Sequence, residues 1–282
     1  MQNDASDRLL IGDIGSTKGA WTAVGHNGEQ RHVLTDGYNP HSHAEGLLAS
    51  ILRYVHRTVE QPAEIIYYGT GISDDVVANE VAHVISSEYP SSQISVESDL
   101  IGAARACLGN RPGVVAILGT GSNASSYDGH TVESITPSLG YPLGDEGSGW
   151  QIGSMILRGY YYGDMPEVLR SSFAELLPDT RRELLGYLRQ SPQPNRYLAS
   201  FATFAGEHRS HPWISDNVRN CLDAFIRTHV LPLSSGEPVY FVGSIAGSFE
   251  EILEELLTEN GLSIGKVIAD PLEALIKYHT NS

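Results

Sequence analysis

Two aspartates and three glycine-hydroxyl segments carry the chemistry that can be read in this sequence. Asp13 lies near the end of the apolar run 8–14 (RLLIGDI) and is followed by Gly15-Ser16-Thr17-Lys18. A carboxylate inside an apolar strand is costly to bury without compensation. At the strand's end it either holds a hydrated Mg²⁺ beside phosphates or caps the hairpin. Asp99 stands between the strand-like 93–96 and a small-residue helix over 100–108. That is the crevice position where α/β folds place their chemistry, and equally a favoured helix N-cap. The run 114–118 feeds Gly119-Thr120-Gly121-Ser122-Asn123, whose glycines let a backbone approach a phosphate closely. The same residues also suit a tight turn. Gly144-Asp145-Glu146-Gly147 adds a carboxylate pair just before an amphipathic segment, and a late strand at 238–242 runs into Gly243-Ser244-Ile245-Ala246-Gly247-Ser248.

The elements that must position these residues follow from periodicity and turn chemistry. Strands over 8–14, 20–24 and 32–35 form a meander closed by the Asn27-Gly28 turn. A helix over 43–59 carries Leu47, Leu48, Ile51, Leu52 and Val55 at helical spacing. A strand at 64–68 enters Gly69-Thr70-Gly71, and a helix over 74–88 precedes the strand at 93–96. The first hairpin is neither a Walker A loop nor a GxGxxG turn opening a helix, because Trp21, Thr22 and Val24 continue as strand. After the turn formers at 109–113 the pattern starts again: strand 114–118, glycine-hydroxyl tip, strand 123–127, Asp128-Gly129 turn, strand 131–135. The sequence therefore reads as two copies of one unit. Helices are expected over 149–161, 165–176, 180–189, 195–207 and 215–231, then a helix over 249–260, a strand over 262–268 and a closing helix over 271–279.

Size and charge narrow the function classes. The 282 residues suffice for two domains. Lys and Arg number 18 against 34 Asp and Glu, and the formal charge of -16 argues against nucleic acid or an anionic membrane as partner. Backbone amides and a metal ion can still neutralise a small anionic ligand. Cys107 and Cys221 are the two cysteines; they form no CxxC and suggest neither a disulfide framework nor zinc. The opening MQNDASD has no basic n-region or apolar h-region, so the expectation is a cytoplasmic protein without a membrane span.

The order DIGSTK, ESDLIGAARA, LGTGSN, GDEGSGW and VGSIAG resembles the acetate and sugar kinase, actin and heat-shock-chaperone superfamily, over nearly the whole chain. Within it the sequence is most similar to the N-acetylglucosamine kinase and benzoyl-CoA reductase activator (BadF/BadG) branch. The resemblance implies an α/β fold of two ribonuclease-H-like domains, the actin-like ATPase fold, with the nucleotide cleft between them. The domains would be 1–110, joined by the closing helix 271–282, and 111–270. It implies ATP and Mg²⁺ as cofactors, a small sugar as substrate and a homodimer as the assembly. By motif match Asp13 would hold Mg²⁺. Gly15, Ser16, Thr17 and Lys18 with Gly119, Thr120, Gly121 and Ser122 would line the phosphates, and Gly243, Ser244 and Ala246 would flank the adenosine. Asp99 would be the base that takes a sugar hydroxyl's proton. Asn39, Asn123, Ser138, Leu139, Gly140 and Asp145 would hold the sugar. N-acetylglucosamine converted to its 6-phosphate is the implied reaction. The alternative is an ATPase switch that activates a partner enzyme, whose relatives hold an iron-sulfur cluster through cysteines.

Overall fold

The computed structural model describes residues 7–280; Met1 to Ser6, read above for a leader, and Asn281 and Ser282 lie outside them. The described chain divides into two compact units. One runs to Gly109 and resumes at Pro271, and the other is the continuous stretch Asn110–Asp270.

The first unit is built on β1 (Asp7–Ile14), β2 (Lys18–Gly25), β3 (Gln30–Asp36), β4 (Glu64–Gly69) and β5 (Gln93–Ser98), in the spatial order β3-β2-β1-β4-β5. β1 pairs antiparallel with β2 and parallel with β4, which is itself parallel to β5. The crossovers are α1 (Leu47–His56) and α2 (Asp75–Glu88), while α3 (Asp99–Leu108) follows β5. Because side chains alternate across a strand, the two adjacent tyrosines of β4 serve opposite faces. Tyr67 joins Leu10, Trp21, Ile65, Leu52, Val55, Val81 and Ile85 in one apolar cluster. Tyr68 instead bonds Arg105 of α3 and His279 of the closing helix Leu272–Thr280.

The second unit repeats the plan. Its strands are β6 (Gly113–Leu118), β7 (Ser122–Tyr127), β8 (Val132–Glu133), β9 (Val239–Val242) and β10 (Ile264–Ile268), in the order β10-β9-β6-β7-β8. β6 is antiparallel to β7 and parallel to β9. The duplicated α/β architecture expected from the sequence is therefore present strand for strand. Between β8 and β9 run α4 (Gly149–Tyr162), α5 (Glu167–Ala174), α6 (Arg181–Gln190), α7 (Pro194–Ser200), α8 (Ala202–Glu207) and α9 (Pro212–Phe225), the last continued by a π-helical turn, Ile226–Val230. After β9 come α10 (Ser244–Ser248) and α11 (Glu250–Glu259). The core gathers Val114, Ala116 and Leu118 of β6 with Phe241, Ile152, Ile156, Phe173, Phe225 and Leu253.

Several boundaries differ from the periodic reading, each for a local reason. α1 starts at Leu47 because Gly46 adopts φ 82° before it, and His43 turns back to accept a hydrogen bond from the Asn39 amide at 3.0 Å. The expected helix over 195–207 is two helices, since Phe201 closes the first with a tight bond to Leu198 O at 3.1 Å. Residues 244–248, read as loop, are a short helix directly behind Gly243. The helix expected over 215–231 begins at Pro212 and widens to a π turn over Ile226–Val230.

Candidate active site

In the first unit, β1 delivers Asp13 to the tip that Gly15 closes by donating to Lys18 O at 3.0 Å. Asp13 and residues 15–17 are half-buried, and Lys18, already the first residue of β2, is exposed. The segment after β3 lies against this tip: the Tyr38 amide donates to Gly15 O at 3.1 Å. One residue on, the Asn39 side chain approaches Gly71, whose missing Cβ would fall 2.6 Å from Asn39 Oδ1. That oxygen accepts from the His41 amide at 2.9 Å. The Thr70 amide donates to Ile14 O at 3.0 Å, which ties the loop after β4 to the end of β1.

Asp99 completes the set. Its place at a helix start made it a candidate cap, but the cap is Ser98, whose hydroxyl accepts from the Ile101 amide at 3.3 Å. Asp99 is the first helical residue, and its carboxylate accepts from its own amide and that of Leu100 as well as from the Thr70 side chain. Burial pushes the carboxyl up to about 6, against a hydrogen bond from the Thr70 side chain and one from the Leu100 amide that favour its charged form. Asp13, the 15–18 tip, Asn39 and Asp99 are thus drawn to one end of one sheet, where the parallel strands β1, β4 and β5 finish. Thr70 and Gly71 belong with them and were not singled out from the sequence. Their signal was the Gly-Thr-Gly that ends β4, which matches the glycine-hydroxyl pattern of the two hairpins.

In the second unit the tip of β6 and β7 is closed by the Gly119 amide donating to Gly121 O at 2.9 Å, and a Cβ on Gly119 would meet nothing within 4 Å. The outer side of this turn is open to a ligand. Its inner side is committed: Gly119 O accepts from the Gly149 amide at 2.8 Å and Thr120 O from the Trp150 amide at 3.3 Å. The first amides of α4, ordinarily orphans, are therefore taken up by the hairpin. Ser122 is buried, and its hydroxyl donates to Glu146 O at 2.7 Å. Asn123 Oδ1 accepts from the Ala124 amide at 2.9 Å.

Asp145 takes φ 63°, the one left-handed non-glycine among the described residues, and is buried. Its carboxylate accepts from the Ser122 amide at 3.2 Å, Trp150 Nε1 at 3.2 Å and the Ser138 hydroxyl at 3.4 Å. Burial raises its pKa, and these three donors act in the opposite direction. Asp145 is thus the clamp that fastens Gly144-Asp145-Glu146-Gly147 onto Gly121 and Ser122, with one carboxylate lone pair left over by count. Leu139 is exposed and Gly140 turns the wall at φ 61°. Gly243 must be glycine: it has φ 119°, and a Cβ there would lie 2.3 Å from Leu118 O. Ser244 is exposed beside it. Ala246, expected at the adenosine, is instead buried in the core of its unit with 0% exposure, so packing is its task. Trp150 and His229 also serve this turn; in the sequence Trp150 does no more than close the GDEGSGW segment, and nothing there points to His229.

The residues fit the implied cofactors in a limited and definite way. No group of three or more His, Cys, Asp or Glu converges as a metal cage among the described residues. Mg²⁺ in phosphoryl-transfer sites is held by one or two carboxylates plus phosphates and water, and the half-buried Asp13 at a hairpin tip is the residue here whose chemistry would suit it. No described helix is long and apolar enough to cross a membrane.

No protein-family model and no curated protein sequence matches this chain. Solved structures do. A candidate N-acetylglucosamine kinase from Porphyromonas gingivalis is 34% identical, covering 97% of this chain and 99% of its own, with a TM-score of 0.88. A candidate N-acetylglucosamine kinase from Chromobacterium violaceum shares the fold at 17% identity and TM-score 0.68, over 97% and 99% of the two chains. A ROK family glucokinase from Streptomyces griseus, solved with glucose and AMPPNP, does so at 14% identity and TM-score 0.54, over 97% and 98%. An identity of 34% across essentially the full length, on top of the duplicated sheets, places the chain in the N-acetylglucosamine kinase family of the actin-like ATPase superfamily.

Proposed function

We propose that this protein transfers the γ-phosphoryl group of ATP to a hydroxyl of an amino sugar, O6 of N-acetylglucosamine in the simplest case, with Asp99 as the base. The observation that carries the reading is Asp99 itself. Ser98 takes the N-cap, the Thr70 side chain and the Asp99 and Leu100 amides orient the Asp99 carboxylate, and burial pushes its pKa up to about 6. A general base works best when its pKa lies near the working pH, and a carboxylate in this state takes a proton more readily than an ordinary one. In the step, the sugar oxygen forms its bond to the γ-phosphorus, the bond from that phosphorus to the β-γ bridging oxygen breaks, the hydroxyl proton goes to Asp99, and ADP leaves. Such transfers depend on positioning and charge stabilisation more than on covalent chemistry.

The other residues take roles that their surroundings support. Asp13 is assigned to Mg²⁺, which when bound neutralises charge on the phosphates. Gly15 to Lys18 and Gly119 to Gly121 offer backbone and hydroxyl groups to phosphate oxygens. Asn39 in the first unit and Asn123, Ser138 and Asp145 in the second are assigned to the sugar, and Gly243 with Ser244 to the adenosine. An ATPase switch built on an iron-sulfur cluster gains no support from the cysteines. Cys107 is buried, and burial pushes the Cys221 thiol up to about 11, away from the thiolate that binds metal.

The test is direct. Purified protein with Mg-ATP is offered glucose, glucosamine, N-acetylglucosamine, N-acetylmannosamine and N-acetylmuramate, and both ADP and phosphosugar are measured. Stoichiometric formation of one sugar 6-phosphate is expected, with an N-acylated hexosamine as best substrate. ADP release without any phosphosugar would replace this reading with the ATPase switch.

A further inference from the structure

We infer that Glu146 and the buried His229 form a positioning pair that holds the 144–148 turn, and with it the Asp145 carboxylate, in the geometry needed to grip the sugar. The inference rests on the amino-sugar kinase reading of the same site. His229 is 3% exposed, and its Nε2 lies 3.0 Å from Glu146 Oε2. A carboxylate can only accept, so the imidazole carries its hydrogen on Nε2 toward Glu146. Glu146 itself is 29% exposed, with Oε2 held inward.

The placement of His229 depends on the π turn. Leu231 donates to Ile226 O at 2.9 Å, a bond five residues back, and His229 lies within that widened turn. Single π turns inside α-helices recur at functional sites. This one ends a helix on which the 144–148 turn is seated, since a Cβ on Gly147 would fall 2.9 Å from Phe225 Cβ and 3.4 Å from Cys221 O. The Phe225 and His229 rings lie 5.4 Å apart at 31°, so the imidazole is braced on its own helix.

The turn needs holding. Asp145 is a non-glycine residue at φ 63°, a conformation that persists where the surroundings over-determine it. Its carboxylate is gripped by Ser122, Ser138 and Trp150. On its C-terminal side the next residue is fixed twice, by Ser122 Oγ on the Glu146 carbonyl and by His229 on the Glu146 carboxylate. Without the Glu146 carboxylate the turn keeps Ser122 Oγ on the Glu146 carbonyl, the Ser148 amide on Asp145 O at 3.2 Å and the Gly147 amide on Gln151 Oε1 at 2.6 Å, but loses its side-chain tie to the π turn, and the carboxylate assigned to the sugar is less tightly placed. The hairpin 119–121, whose carbonyls are held by the amides of Gly149 and Trp150, keeps its own supports. The nucleotide side keeps these two ties even where the bond from the Ser122 amide to Asp145 loosens.

The experiment separates the two substrates. KM for sugar, KM for ATP, kcat and melting temperature are measured for Glu146→Ala, His229→Leu, the double variant and His229→Gln. Loss of a hydrogen bond to a charged group corresponds to about tenfold or more, so both single variants are expected to raise the sugar KM by about tenfold while the ATP KM stays within about twofold. Because the two act as one unit, the double variant is expected to be no worse than the worse single. His229→Gln, which returns a donor near the Nε2 position, is expected to restore most of the sugar affinity. An unchanged sugar KM in Glu146→Ala of wild-type melting temperature would overturn the pair, as would additive losses or an ATP KM that rises in step. Should His229→Leu fail to fold, Glu146→Ala and His229→Gln decide the matter between them. A wild-type protein that phosphorylates no sugar would remove the kinase reading and this inference with it, whereas an active wild type with indifferent variants removes the inference alone.

Discussion

At the scale of single residues, the proposed role of Asp99 as base makes a prediction about pH. Its carboxyl is pushed up to about 6 by burial, and the ionised form is the one that accepts a proton. The ratio kcat/KM is expected to rise with pH to a midpoint near that value and then level off. Thr70 donates to the charged form, so Thr70→Val is expected to move the midpoint to higher pH. Stability runs the other way. An unfolded Asp titrates near about 3.9, so between about pH 4 and 6 the native state binds more protons than the unfolded one, and stability falls as pH rises through that window. Asp99→Asn, which carries no charge to bury, is expected to melt above wild type at pH 8, with the difference closing toward pH 4. The same variant is expected to lose about 10²–10⁴ in kcat. Retention of full kcat would remove Asp99 from the chemistry.

At the scale of elements, three joints hold the second unit's share of the site. The hairpin of β6 and β7 fastens onto the start of α4, the 144–148 turn fastens onto the hairpin through Asp145, and α10 leaves β9 through Gly243. The last joint tolerates no side chain, because the backbone is left-handed there and Leu118 O occupies the Cβ position at 2.3 Å. Gly243→Ala is expected to cost about 2–4 kcal/mol by strain and displacement, read as a lower melting temperature and weaker ATP-analogue binding. Trp150→Phe keeps the ring that meets Tyr141 edge-on at 5.1 Å but removes the indole donor from Asp145. A loss of about 1–3 kcal/mol is expected, since a buried carboxylate is left one partner short.

At the scale of the whole molecule, the first unit is discontinuous in sequence. Its closing helix brings Leu275 and Ile276, both buried, and His279, whose ring is 2.7 Å from Tyr68 Oη. Arg105 donates to the same hydroxyl at 2.9 Å and to Glu97 at 3.1 Å. Burial, aided by Arg105, holds the His279 pKa down to about 4, so the ring is neutral in the folded unit. A His depressed in the native state stabilises above its unfolded pKa of about 6.5, and that stabilisation is lost as pH falls toward 4. Burying two aliphatic side chains contributes about 3–6 kcal/mol, a large fraction of a domain's stability. The fragment 110–270 is therefore expected to unfold cooperatively when expressed by itself. The fragment 1–109 is expected to do so only with 271–282 joined to it, which denaturation of the three fragments checks.

Much of this was legible in the sequence because it is local. Alternating apolar runs, Asn27-Gly28 and Asp128-Gly129, and two glycine-hydroxyl tips sufficed to predict a duplicated α/β chain, since strand period and turn chemistry depend on near neighbours. The motif order pointed to the family for the same reason. What the sequence left open was which of two roles each polar residue takes. Asp99 read locally as a cap as well as a base, and the cap is Ser98. Asp145 read as a sugar ligand before the structure showed three internal donors on it. Ala246 read as part of an adenosine loop, yet a short helix turns it into the core. His229, 83 residues from Glu146, carried no sequence signal at all. A hydrogen bond between residues far apart in sequence, and the burial that gives it strength, exist only once the chain has closed, so tertiary structure alone decided which donors each carboxylate meets.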